Sequence, residues 1–125
     1  MKCIRLLNIY PKNKHDCLKA MLVMSGFDFS LIGTIYMFEM LIAMCDNSNK
    51  THHLPTMSCL ADRHEVKIKT FNRSIRFAIE HAYSNGCLKH LMGFEKINKQ
   101  PSTKNVALTL YNNMLDVFVD YNTLP

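Results

Sequence analysis

Ile68-Lys-Thr-Phe-Asn-Arg-Ser-Ile-Arg-Phe-Ala-Ile-Glu-His-Ala-Tyr-Ser84 is the stretch on which the fold turns. At 100° per residue, Phe71, Ile75, Ala78, Ile79 and Ala82 share one stripe of a helix. The opposite face carries Lys69, Thr70, Arg73, Arg76, Phe77 and Glu80, with Asn72 on the flank. One side suits a core, and the other presents cations, an amide and a hydroxyl to the outside. Asn85-Gly86 supplies a stop, so the helix is expected over residues 68–84. Upstream, Pro55 and Thr56 open a shorter helix over about residues 56–63, and His64 to Lys67 read as a turn. A short helix, a tight turn and a longer helix form a helix-turn-helix candidate.

The remaining chain reads as helices around that pair. Asp16 is a candidate N-cap for a helix over Cys17 to Met24 that Gly26 would end. Asp28 or Ser30 starts a longer helix through Met44, in which Ile32, Ile35, Phe38 or Glu39, and Ile42 recur at helical spacing. Apolar residues cover most of its circumference, which predicts the central, most buried helix. Asp46 to Lys50 form a linker of turn formers, and a short helix is expected over Cys87 to Leu91. After Pro101, a last helix runs from Ser102 or Thr103 to about Val117, with Val106, Leu110, Met114 and Val117 on its apolar face. The expected organisation is an N-terminal arm (1–15), a helical domain (16–118) and a C-terminal tail (119–125).

Composition supports one all-α domain of five to six helices. The 125 residues are 48% hydrophobic, enough for one core, and only four Gly and four Pro argue against a turn-rich β architecture. Fifteen Lys and Arg against ten Asp and Glu give a net charge of +5, a mild bias toward anionic partners. Five cysteines, odd in number and without a C-x-x-C, read as free thiols of a reducing cytoplasm. The longest apolar run, Leu31 to Cys45, is too short for a membrane span and contains Glu39. The N-terminal stretch, broken by Arg5 and Asn8 and followed by Pro11, does not read as a signal peptide.

The outer face of residues 68–84 has the chemistry of a recognition helix. Arg bonds bidentately to guanine O6 and N7, and Asn to adenine N6 and N7. Lys67 and Lys69, where the helix starts, are placed to meet phosphates, which give affinity without sequence information.

The order of motifs adds a family. Arg73-Ser-Ile-Arg-Phe-Ala-Ile-Glu-His-Ala-Tyr-Ser-Asn-Gly86 resembles the R-A-I-R-H-A-I-E-x-A-W-x-x-G signature of the C-terminal DNA-binding domain of the sporulation stage-zero response regulators. Gly26, Gly33, Tyr36 and Glu39 resemble that family's G-x-x-x-x-x-x-G-x-x-Y-x-x-E helix, and Leu60-Ala61 its positioning helix. Met92-Gly93-Phe94 and Gln100-Pro101-Ser102 resemble its F-G-Y and its K-P-T. The similarity runs from about residue 16 to 116. It implies a transcription regulator that binds double-stranded DNA, as a homodimer or in tandem, with residues 68–84 in the major groove.

The resemblance also implies base contacts at Thr70, Asn72 and Arg73, where the family has Arg, Glu and Arg. Only Arg73 is kept. Thr70 removes a guanine donor, and Asn72 exchanges a cytosine-preferring acceptor for an adenine-preferring amide, each worth roughly 1–3 kcal/mol of discrimination. A different operator, or weaker binding, is therefore expected. Arg76 matches a family Arg and joins Lys67 and Lys69 as an expected backbone contact. Family members carry an N-terminal receiver domain for which these 125 residues have no room, so either a stand-alone effector domain or a fragment is expected. Without a receiver, control would lie in abundance or a partner rather than in phosphorylation.

Catalysis finds no pattern. His52-His53, Cys59 and His64 have no zinc spacing, and Cys59 is expected as a small core residue. Cys87 and His90 read as a chance pair, and Asp62 and Glu65 as surface charges. With no G-x-x-x-x-G-K-[ST] and no G-x-G-x-x-G, neither an enzyme nor a cofactor or metal is expected. The alternative is a protein-interaction module that dimerises with or antagonises a full-length response regulator, using Met37, Met40 and Met44 or the Leu115–Tyr121 segment. Either reading places the protein in the cytoplasm, and DNA binding places it on the nucleoid.

Overall fold

The computed structural model describes residues 14–46, 57–85, 88 and 101–123. Among these residues every element is α-helical: α1 (Lys14–Ser25), α2 (Ile32–Asp46), α3 (Met57–Arg63), α4 (Ile68–Asn85) and α5 (Thr103–Thr123). The all-α expectation holds. The linker at 46–50 (beyond Asp46), the Cys87–Leu91 helix (apart from Leu88) and the Met92–Phe94 motif lie outside the described residues.

Helix ends follow local chemistry, with shifts. α1 begins at Lys14, so Asp16 sits inside the first turn, where its charge favours the positive end of the helix dipole. It ends at Gly26 as expected: Gly26 has φ 101°, its N–H donates to Val23 O at 3.1 Å, and that of Phe27 donates to Leu22 O at 3.0 Å. Those two bonds form a Schellman cap, and Phe27 and Leu22 are both buried beside it. Asp28 accepts from Ser30 N–H at 2.8 Å, which holds its carboxyl below the usual carboxylate range. α2 starts after this turn, at Ile32 rather than at residue 28 or 30. Ser102 caps α5 by accepting from Asn105 N–H at 3.2 Å. α5 continues to Thr123, past the expected end near Val117. No Gly or Pro interrupts residues 103–123, so nothing in the chain stops it earlier.

α2 is the hub and touches all four other helices. Its buried side is not the isoleucine stripe. Tyr36, Met37, Met40, Leu41 and Met44 face the core, whereas Ile32 and Ile35 are exposed and Phe38, Glu39 and Ile42 are half-buried. In a helix apolar all round, periodicity does not choose the inner face; the neighbours do. α1 and α5 close the other side of the core, where Cys17 is fully buried, its thiol 3.9 Å from the Met114 carbonyl. Burial pushes that thiol up to about 11.

α2 and α4 approach backbone to backbone. A Cβ on Gly33 would lie 1.8 Å from the carbonyl oxygen of Ser74 and 3.0 Å from the Cβ of Ala78. Only glycine fits that crossing. The stripe anticipated on α4 is the stripe observed: Phe71, Ile75, Ala78, Ile79 and Ala82 are all fully buried.

Candidate nucleic-acid interface

Three contacts position α4. The first is its junction with α3. Leu60 and Ala61 of α3 are buried in the core, and the chain then reverses in a second Schellman cap. Glu65 N–H donates to Asp62 O, and Val66 N–H donates to Ala61 O, each at 3.0 Å. Glu65 takes the left-handed position with φ 57°, a place usually given to glycine. Lys67 closes the connection by accepting from Phe71 N–H at 2.9 Å, as the backbone N-cap of α4.

The second contact is aromatic. Tyr36 of α2 stacks on Phe71 in the first turn of α4, with ring centroids 4.3 Å apart and planes inclined by 25°. The third is polar: His64 Nε2 hydrogen-bonds the Glu39 carboxylate, with both side chains half-buried. The His64 ring also lies 4.8 Å from that of Tyr36. Helix α2 thus holds both the connection and the first turn of α4.

The outer face of α4 is where the expected contacts lie. Lys67, Lys69, Thr70, Asn72 and Arg73 are all exposed, on the connection and the first two turns. Between Val66 and Ile79 the chain has four cations and no acidic residue. Lys67 and Lys69 stand at the positive end of the α4 dipole, an arrangement that suits a phosphate. Arg76 departs from the group. It is half-buried, and its guanidinium donates to the Pro101 carbonyl at 3.2 Å, tying α4 to the start of α5.

Two exposed apolar residues share this region, Ile68 (49% exposed) and Phe77 (59%). Phe77 borders a groove of about 260 Å³ that Leu31, Ile32, Gly33, Arg73 and Ser74 complete. The pattern of α4 placed Phe77 outside, but the groove depends on α2 and has no signal in the sequence.

Other chemistry-bearing residues do not converge. Among the described residues no three His, Cys, Asp or Glu side chains are grouped to hold a metal ion. His64 is paired with Glu39 instead. Cys59 is exposed on α3, not in the core as expected, because Leu60 and Ala61 occupy the inner side of that short helix. His52, His53, Cys87 and His90 lie outside the described residues. No described helix is long and apolar enough to cross a membrane. Comparison with protein-family models, curated proteins and solved structures found no match to this chain.

Proposed function

We propose that the protein is a sequence-specific DNA-binding transcription regulator with no catalytic role, acting in the cytoplasm on the nucleoid. In this reading α3, the connection and α4 form a helix-turn-helix, and α4 enters the major groove of double-stranded DNA. The observation that carries it is the division of α4: a fully buried stripe anchors the helix, while Lys67, Lys69, Thr70, Asn72 and Arg73 are exposed together. Arg73 and Asn72 supply bidentate donors for base edges, Thr70 a hydroxyl, and Lys67 and Lys69 phosphate contacts. The motifs similar to the sporulation stage-zero regulators support the same assignment. Arg76 enters as a residue that fixes α4 against α5, and any phosphate contact from it has to coexist with its bond to Pro101.

The interaction-module alternative loses the surface first suggested for it on α2. Met37, Met40 and Met44 are buried, so they offer a full-length regulator no free face.

The test is selection of random DNA duplexes by the purified chain at two salt concentrations. An enriched motif is expected. Arg73→Ala should relax preference at one position, by roughly 1–3 kcal/mol. Lys67→Ala should weaken all duplexes alike and reduce the salt slope by about one. Unchanged affinity and preference in Arg73→Ala would remove α4 as the reading element.

A further inference from the structure

Phe77 has the largest exposed fraction of any large apolar side chain among the described residues, 59%. A single apolar residue on a surface ordinarily needs no explanation. Phe77 does, because of where it sits. It lies four residues after Arg73, so the two side chains leave α4 within about 40° of each other. A docking that lays α4 along the groove and turns Arg73 to a base edge turns this ring to the DNA as well.

We infer that Phe77 is a specificity-determining residue whose ring recognises the 5-methyl group of a thymine, an inference that rests on the DNA-binding reading. The rise from Arg73 to Phe77 is about 6 Å along the helix, and base pairs are spaced about 3.4 Å apart. The thymine therefore lies within about two base pairs of the base read by Arg73. A phenyl ring set against a purine edge or a cytosine amino group would strip water from those groups and return no hydrogen bond. The thymine methyl is the apolar feature of the major groove, and phenylalanine is among the side chains that contact it.

Charge favours DNA over a protein surface as the occupant. The ring sits in a stretch with Lys67, Lys69, Arg73 and Arg76 and no acidic residue until Glu80. Leu31 and Ile32, across the groove from the ring, extend the apolar shelf beside it.

The experiment replaces each thymine of a duplex enriched by the random selection with uracil, which keeps the pairing and the hydrogen-bonding edge and removes only the methyl. Binding of the full chain is followed by fluorescence anisotropy. One replacement is expected to weaken the wild-type protein about fourfold, the effect of one buried methyl. Phe77→Ala should bind thymine and uracil duplexes equally and keep its preference at the base read by Arg73; Phe77→Leu should retain part of the discrimination. Equal binding of thymine and uracil duplexes by the wild type at every position overturns the inference and leaves the DNA reading standing. So does full discrimination in Phe77→Ala. Wild-type DNA binding by Phe77→Ala with loss of self-association in sedimentation makes the ring a protein contact and overturns it too. A selection that enriches no motif overturns the DNA reading itself.

Discussion

His64 Nε2 hydrogen-bonds the carboxylate of Glu39, a residue 25 positions earlier in the chain. The contact joins the hub helix to the connection between α3 and α4. A half-buried side-chain hydrogen bond of this kind contributes about 1 kcal/mol, and more when one partner alone is lost. A double-mutant cycle of Glu39→Ala and His64→Ala in urea should give a coupling of roughly 0.5–1.5 kcal/mol. A cycle that closes to zero would show the contact to be incidental.

Gly33→Ala should be among the most damaging small substitutions in the chain. The added methyl meets the Ser74 carbonyl oxygen at 1.8 Å, and backbone does not swing aside as a side-chain end does. A loss of about 3 kcal/mol is expected from overpacking alone. On the proposed DNA-binding reading, DNA affinity should fall as well, because α2 and α4 must separate. Denaturation and anisotropy on the same sample check both; a wild-type melting curve would refute the crossing.

Glu65→Gly acts in the opposite direction. The left-handed backbone at φ 57° costs a non-glycine residue roughly 1–2 kcal/mol. Relief of that cost, less the entropy glycine adds to the unfolded chain, should stabilise the protein by about 1 kcal/mol. A lower unfolding midpoint would mean that the glutamate side chain contributes more than its backbone costs.

The buried thiol of Cys17 links stability to alkaline pH. Its ordinary value of 9.0 is raised to about 11 in the folded protein. Between those values the unfolded chain has lost a proton that the native state keeps, so stability is full below about pH 9 and falls as pH rises toward 11. Cys17→Ser should flatten that part of the stability profile. At pH 8 iodoacetamide should modify exposed Cys59 well before Cys17, read by mass spectrometry. Equal labelling of the two in the native protein would contradict the burial.

The elements themselves were legible in the sequence, and their assembly only in part. The stripe from Phe71 to Ala82 could be read because polar and apolar residues alternate with helical period and strong contrast. α2 could be recognised as central but not oriented, since isoleucines and methionines surround it and only the packed neighbours decide between them. Gly33 could be read as a family position, but not as a point of backbone contact, which depends on a helix forty residues downstream. The bond from Glu39 to His64 is non-local in the same way. Glu65 ran against the rule that such turns take Gly or Asn, so the reversal was visible and its backbone geometry was not. The face of α4 was legible except at Arg76, whose partner Pro101 comes from the start of another helix.

The reversal between α3 and α4 has a consequence for how this chain evolves. Its geometry resides in backbone bonds from Glu65 to Asp62 and from Val66 to Ala61, which call on no side chain once position 65 takes the left-handed backbone. Lys69, Thr70, Asn72 and Arg73 take no part in them. Those four positions form a replaceable cassette on a bracket held by backbone: mutation can rewrite what the helix presents without retuning the angle at which it is presented. Insertion of one residue between Asp62 and Glu65, by contrast, breaks both bonds at once. Diversity in this architecture should accumulate by substitution on the outer face of α4, and length polymorphism should be purged from residues 62–65.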